Sequence, residues 1–161
     1  MIALEADRSF DFLFRTDRGR IGGAVWWRGT IPLVLLAAVL TGGWMLLRPY
    51  ASHDLSKTPF LDAATLLAHA YLVCFAFAVI LIAVCEYNLS AKRFRDRGRP
   101  AALAAILPLT LLVAGALIWF VPRSSGDLPE WTAPAALVAV LAVVVWNVVD
   151  LGFGPTRTPA V

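Results

Sequence analysis

The acidic and basic residues that could do chemistry in this chain lie at the ends of long apolar runs. Glu86 ends the second run, Asp150 ends the fourth, and Asp96 follows Glu86 in an arginine-rich segment. Glu86, Arg93 and Arg97 stand seven and four residues apart, so a helix places them on one face. Arginine offers a planar fork that suits phosphate. We therefore expect this stripe to bind lipid phosphates or to pair with Asp150.

Five basic residues beside the apolar runs are candidates for contact with lipid headgroups or a protein partner. They are Arg18, Arg20, Arg93, Arg97 and Arg99. Each basic residue near an anionic headgroup region contributes about 1 kcal/mol to membrane contact. Glu86 would order this cluster by holding an arginine or by reaching Asn147 and Asp150. Lys92 can pair with Asp96, four residues further on. The simpler interpretation is that these charges only solvate helix ends and set topology.

No motif for catalysis, metal binding or cofactor binding is present in the sequence. It has no paired-histidine zinc site, no phosphate-binding glycine loop and no nucleophile elbow. The two histidines are His53, in a polar loop, and His69, to which we assign a structural role. Cys74 and Cys85 would lie about 16 Å apart along one helix, too far for a disulfide. We expect no catalytic residues, no metal and no cofactor.

The composition is typical of a membrane protein. Hydrophobic residues make up 60% of the 161 residues and charged residues 16%, against about 45–50% and about 25% in soluble domains. A soluble protein of this size could not bury so much apolar surface. The net charge of +3 lies in short blocks between the apolar runs. That pattern favours contact with anionic lipid over nucleic acid.

Four apolar runs are long enough to cross the ~30 Å hydrocarbon core of a bilayer. They cover about residues 25–47, 63–85, 101–121 and 133–149. Asp62 and Thr132 are placed to cap the second and fourth helices, and Pro108 predicts a kink in the third. The sequence thus predicts an all-α membrane protein with four transmembrane helices.

These runs divide the chain into a charged segment over residues 1–24, a transmembrane domain over 25–153 and a tail over 154–161. In the first segment, Phe10, Phe12 and Phe14 alternate with other residues. No partner strand is visible, so we expect an interfacial anchor lying against the membrane.

The distribution of lysine and arginine predicts the orientation. Eleven of these residues lie on the side that holds both termini and the middle loop. Three lie on the other side: Arg48, Lys57 and Arg123. Because excess positive charge marks the cytoplasmic side, we expect a multi-pass protein of the bacterial inner membrane with both termini in the cytoplasm.

One sequence pattern occurs twice. Asp17-Arg18-Gly19-Arg20 precedes the first span, and Asp96-Arg97-Gly98-Arg99 precedes the third. Both copies lie on the same predicted side. Two parallel helical hairpins related by an axis along the membrane normal would give this pattern, although basic loops that use few residue types could also produce it by coincidence.

The chain resembles the family of small bacterial inner-membrane proteins known as domain of unknown function 805. Three blocks carry the resemblance over almost the whole chain: residues 14–27, residues 91–99 and Gly152-Phe153-Gly154-Pro155. The sequence departs from the family pattern at Arg95, where histidine is usual, and at Gly23, where a second arginine is common. The asparagine usual before the final Gly-Pro is also missing. The resemblance implies a four-span fold and no assigned activity.

Three functions are compatible with these residues. Small-residue-rich stretches at 101–105 and 133–142 permit close helix packing, and with the basic stripe they favour a non-enzymatic protein. Such a protein would bind lipid or serve as an accessory subunit, as a homo-oligomer or in a larger membrane complex. A small oligomeric transporter or channel is the alternative. A membrane enzyme acting on lipid is the second alternative, with Glu86, Asp96 and Asp150 as its acids.

Overall fold

The computed structural model describes residues 10–51, 62–123 and 128–156. The predicted loop residues His53 and Lys57, and the outer parts of the N-terminal segment and the tail, lie outside them. Four α-helices are present: α1 (Gly23–Leu47), α2 (Ala63–Asp96), α3 (Ile106–Phe120) and α4 (Thr132–Asn147). Short 3-10 turns cover Arg48–Ala51, Ala101–Ala105 and Val121–Arg123, and π-helical turns cover Asp11–Arg15 and Val148–Gly152. The described residues contain no strand, which confirms the all-α prediction.

Each helix, taken with the turn that continues it, is long and apolar enough to cross a membrane. These spans are Gly23–Ala51, Ala63–Asp96, Ala101–Phe120 and Thr132–Gly152, with mean hydropathy between 2.0 and 2.5. At most 22% of the most apolar stretch of any span is buried within the protein. Exposing this much apolar surface to water is unfavourable, and the hydrocarbon of a bilayer would cover it. The fold therefore defines a multi-pass membrane protein.

The helices form two hairpins, in which α1 packs on α2 and α3 packs on α4. Glycine lets α1 approach α2 closely at two levels. A Cβ atom at Gly29 would lie 2.8 Å from Cδ1 of Leu89, and one at Gly43 would lie 2.9 Å from Cζ of Tyr71. The Tyr71 hydroxyl also donates to the Leu40 carbonyl at 2.8 Å. Both contacts hold the first hairpin together.

Helix α2 is much longer than a bilayer core. Its 34 residues extend to about 51 Å at ~1.5 Å per residue, against a core of ~30 Å. The packed core of the protein surrounds its C-terminal turns. Its buried members are Ile21, Trp26, Leu89, Ala91, Phe94, Ala104 and Leu151. We call this part of the bundle the arginine end, and define it as residues 10–28, 86–105 and 147–156.

The predicted helix caps have different outcomes. Asp62 caps α2 as predicted, because its carboxylate accepts from two backbone N–H groups at 3.1 and 3.4 Å. The predicted cap at Thr132 is wrong. Thr132 is already the first residue of α4, and its hydroxyl donates backward to the Pro129 carbonyl at 2.7 Å.

The predicted irregularity at Pro108 takes the form of a change in helix type. A 3-10 turn over Ala101–Ala105 becomes an α-helix at Ile106, two residues before the proline. A proline ring clashes with the carbonyl four residues back in an α-helix and supplies no N–H to it. Here that carbonyl belongs to Ala104, which lies in the 3-10 turn. The tighter turn therefore brings the chain from the arginine end into α3.

Candidate functional site

Helix α2 binds the N-terminal segment at the arginine end. The buried Lys92 ammonium donates to the carbonyl of Phe12 and, at 2.9 Å, to that of Leu13. It also lies 4.9 Å from the centre of the Phe12 ring, within cation–π range. The Asn88 amide donates to the Phe14 carbonyl at 2.6 Å. The segment expected to be an interfacial anchor is thus docked on α2 through its backbone carbonyls.

An ion pair continues this attachment. Arg95 donates to the carbonyl of Asp17 and, at 2.8 Å, to its carboxylate. The hydrogen bond from Arg95 holds the pKa of Asp17 below its ordinary value of 3.8. Beyond it, Gly19 has a φ of 101°, and Gly98 has a φ of 69°, both in the left-handed region that favours glycine. The two copies of the repeated pattern share this turn geometry, and the relation between the two hairpins stays a prediction.

Arg93 binds the C-terminal segment to the same helix. Its Nε donates to the Leu151 carbonyl at 2.9 Å, and Nη2 donates to the Gly154 carbonyl at 2.6 Å. Nη1 donates to the Asp96 carboxylate and, at 3.2 Å, to the Thr156 hydroxyl. The side chain is only 1% exposed. One buried guanidinium therefore connects α2 to the chain that follows α4.

Asp150 receives two arginines from the end of α2. Arg97 donates to its carbonyl and to its carboxylate, and Arg99 donates to the second carboxylate oxygen. Arg97 is largely buried, whereas Arg99 is 43% exposed. A side chain at Gly154 would collide with the Arg97 guanidinium. The glycine after the fourth span therefore leaves the space in which this ion pair forms.

These contacts show which protein groups the stripe binds. Arg93 is buried and Arg97 is largely buried, and their guanidinium groups bind protein acceptors. Contact of these arginines with lipid phosphates stays a prediction. Asp150 is the partner of Arg97 and Arg99, as the second possibility predicted. Asp96 pairs with Arg93 and replaces the predicted Lys92–Asp96 pair, because Lys92 points toward the N-terminal carbonyls.

Three other arginines are exposed to the surroundings of the protein. Arg18 and Arg20 flank the Gly19 turn, and Arg28 lies in the second turn of α1. Within the described residues, none of them forms an ion pair. Arg18 and Arg20 are thus placed where the predicted headgroup contacts could form.

Glu86 accepts hydrogen bonds at both carboxylate oxygens. Ser90 Oγ donates to Oε1 at 2.9 Å, and Thr30 Oγ1 donates to Oε2 at 3.1 Å. Trp26 Nε1 donates to Ser90 Oγ at 3.2 Å. An indole N–H can only donate, so the Ser90 hydroxyl keeps its own proton for Glu86. In place of the predicted arginine, Glu86 has two hydroxyl partners, and no basic side chain in the described part of the chain pairs with it.

A cavity of about 350 Å³ lies between the two hairpins, beside Glu86. We call it the central cavity. All four helices line it, mostly with apolar side chains that include Leu33, Ala37, Ile82, Ala83, Leu111 and Val144. Its polar lining is confined to Trp26, Thr30, Glu86 and Asn147. The cavity combines an apolar interior with a small group of polar residues, as ligand sites do.

Asn147 is a buried polar group on the cavity wall. It is 3% exposed, and its amide N–H donates to the Val143 carbonyl at 3.0 Å. Across the described ranges its side-chain oxygen accepts no hydrogen bond. A ligand with a donor group could satisfy this oxygen.

The remaining candidates have structural positions. Nδ1 of His69 lies 2.8 Å from the Thr65 carbonyl one turn earlier in α2, consistent with the role assigned to it. Cys74 and Cys85 are free cysteines. None of these three residues lines the central cavity or lies in the arginine end.

Sequence reasoning missed the central cavity and the roles of Lys92 and Arg95. The cavity depends on how the two hairpins pack against each other, and the sequence of a single span does not indicate that packing. Lys92 and Arg95 bind residues about eighty positions earlier, and helical spacing within one segment cannot indicate such a partner. The spacing did identify the stripe that meets Asp150.

Comparison with models of known protein families, with curated proteins and with solved structures finds no match for this chain. The resemblance to the domain of unknown function 805 family therefore stays a prediction.

Proposed function

We propose that this chain is an integral protein of the bacterial inner membrane that binds anionic lipid at its arginine end. Both termini would lie in the cytoplasm, as the excess of lysine and arginine on that side favours. Its role would be that of a lipid-binding or accessory subunit rather than an enzyme. The support comes from the way arginines divide between paired and exposed positions.

That division is the observation that carries the proposal. Five arginines of the arginine end are paired with acids: Arg15 with Asp11, Arg93 with Asp96, Arg95 with Asp17, and Arg97 and Arg99 with Asp150. Arg18, Arg20 and Arg28 are exposed and have no acidic partner among the described residues. Asp17 and Asp150 join separate segments through these pairs, while the three unpaired charges stay available to a phosphate.

The expected strength of this contact follows from the number of free charges. Each basic residue near an anionic surface contributes about 1 kcal/mol, so three contribute on the order of 3 kcal/mol, or about a hundredfold in affinity. Salt should weaken the contact because the side chains are exposed.

The test is a triple variant, Arg18→Gln, Arg20→Gln and Arg28→Gln, purified in neutral detergent. Native mass spectrometry would count bound phosphatidylglycerol and phosphatidylcholine for the parent and the variant. We expect the parent to prefer phosphatidylglycerol, and the triple variant to lose most of that preference. Arg123→Gln is the matched control, because Arg123 is an exposed arginine near the other end of α3. A triple variant that keeps the parent preference would reject the proposal.

The lipid-acting enzyme receives no support from the acids assigned to it. Asp96 and Asp150 each accept from arginine, so their carboxylates are already paired. Glu86 alone faces a cavity, and the hydroxyl groups bonded to it, from Thr30 and Ser90, both donate to the acid.

A further inference from the structure

We propose that the central cavity binds a lipophilic cation: an organic ammonium group attached to an apolar body. The ammonium group would lie against Glu86 and Asn147, and the body would fill the apolar space between the two hairpins. This site is separate from the exposed arginines, and the inference does not rest on the lipid-binding function proposed above.

The first argument is the uncompensated charge of Glu86. Trp26 donates a hydrogen bond to Ser90, and Ser90 donates one to Glu86, so Glu86 is an acceptor. The Thr30 hydroxyl is its other donor. Hydroxyl groups are neutral, so a carboxyl group removed from water at this position is either protonated or stabilised as a carboxylate by a positive partner. A bound cation would supply that partner.

The other described carboxylates of the arginine end supply the contrast. Asp11, Asp17, Asp96 and Asp150 each have an arginine within ion-pair distance. Glu86 differs from them in facing the central cavity. A ligand in the central cavity could therefore supply the positive charge that Glu86 lacks.

The second argument is the lining of the cavity. It has no lysine or arginine, so an anionic ligand would meet Glu86 without compensation. Its volume of about 350 Å³ falls in the range of roughly 300–1,000 Å³ typical of small-molecule sites. The apolar walls suit a hydrocarbon or aromatic body. Trp26 is also on the wall, and an indole ring attracts an ammonium group that has lost its water.

The third argument is the free acceptor on Asn147. Its buried side-chain oxygen accepts no hydrogen bond within the described ranges, whereas its N–H is bonded to its own helix. A buried acceptor without a donor costs about 1–3 kcal/mol. An ammonium N–H would satisfy this oxygen and Glu86 together, and a carboxylate or phosphate ligand would satisfy neither.

The probe for this site is radiolabelled dodecylamine, added to the parent protein in phosphatidylcholine nanodiscs. Empty nanodiscs give the background that partitions into lipid. Unlabelled dodecanol and dodecanoic acid are the matched competitors, because they carry the same chain with a neutral or an anionic head. We expect saturable binding above background, with the two competitors weaker than unlabelled dodecylamine by about tenfold or more, since they cannot pair with a carboxylate.

Two variants locate the binding. Glu86→Gln keeps the shape and removes the charge, and should lower dodecylamine affinity by about tenfold or more. Ala37→Phe should fill the cavity and lower affinity as well. Its control is Ala38→Phe, because Ala38 is the exposed neighbour that does not line the cavity, and this variant should bind like the parent.

The same assay separates two sources of the ammonium group. If nanodiscs that contain phosphatidylethanolamine reduce dodecylamine binding, the natural ligand is an aminolipid. If they do not, it is a free amphiphilic amine. The proposal is overturned if dodecylamine does not bind above background, if Glu86→Gln binds it as well as the parent, or if the two phenylalanine variants behave alike. Any of these results would leave the anionic-lipid test at the arginines unaffected.

Discussion

At the scale of single residues, Arg93 shows what residue type and spacing can predict. Its place on a helical stripe was readable, because steps of seven and four approximate whole turns. Its acceptors were not, since the Leu151 and Gly154 carbonyls lie 58 and 61 residues further along the chain. In the structure the buried Arg93 side chain connects α2 to the segment that follows α4. The same holds for Glu86, whose donors Thr30 and Ser90 come from two different helices.

The planar fork of Arg93 leads to the first prediction. Arg93→Lys keeps the charge but cannot reach the Leu151, Gly154 and Asp96 acceptors together. Buried acceptors left without donors cost about 1–3 kcal/mol each, so we expect the midpoint of thermal unfolding in detergent to fall by about 5 °C or more. The measurement is thermal unfolding followed by fluorescence-detected gel filtration.

The control for this change is Arg99→Lys. Arg99 is 43% exposed, and Asp150 keeps Arg97 as a partner, so this substitution should cost no more than about 1 kcal/mol. Equal losses from the two substitutions would contradict the role given to Arg93.

At the scale of elements, hydropathy and caps predicted most of what the structure contains. The four predicted apolar helices are present, and Asp62 caps α2. Two features were not readable. The N-terminal segment forms a π-helical turn against α2, because its carbonyls meet Lys92 and Asn88 from a distant element. Thr132 lies inside α4 and not before it, and hydropathy alone does not set a helix boundary to one residue.

Adjacent glycines in α1 give a prediction about hairpin packing. A Cβ at Gly43 would collide with the Tyr71 ring, whereas nothing lies within 4 Å of a Cβ at Gly42. Alanine improves helix propensity at both positions by roughly 1 kcal/mol. Gly42→Ala should therefore leave the protein as stable as the parent or more stable. Gly43→Ala should destabilise it by about 1–3 kcal/mol relative to Gly42→Ala, because overpacking displaces Tyr71.

The two alanine variants would be compared by thermal unfolding in the same detergent. A parent-like Gly43→Ala would mean that α1 and α2 do not approach closely at this level. The comparison needs no other control, since the two sites share a helix and differ by one residue.

At the scale of the whole molecule, apolar side chains face outward along the spans and the packed core lies at the arginine end. Composition predicted the first of these facts. The second depends on contacts among stretches of chain that are distant in sequence, which no local pattern contains. The position of the core also means that both described ends of the chain meet on one side of the bundle, which agrees with an even number of spans.

The orientation in the membrane is the prediction at this scale. A reporter that is active only outside the cytoplasm should be active when fused after Arg123 and inactive when fused after Val161. The reason is that eleven basic residues lie on the side of the termini and three on the other side. By the positive-inside rule, the side with the excess is cytoplasmic. Activity at both fusions, or at neither, would exclude four spans with cytoplasmic termini.

The attachment of both end segments to α2 has a consequence for biosynthesis. The carbonyls that Lys92 binds are made about eighty residues before it, and those that Arg93 binds are made about sixty residues after it. A helix can insert into the bilayer before it packs, so α2 can be in place while Arg93 still lacks its Leu151 and Gly154 acceptors. The arginine end cannot close until residues 151–156 have left the ribosome. Residues 151–156 thus complete the arginine end, and a protein truncated before residue 151 would carry a membrane-inserted α2 whose Arg93 guanidinium lacks its Leu151 and Gly154 acceptors.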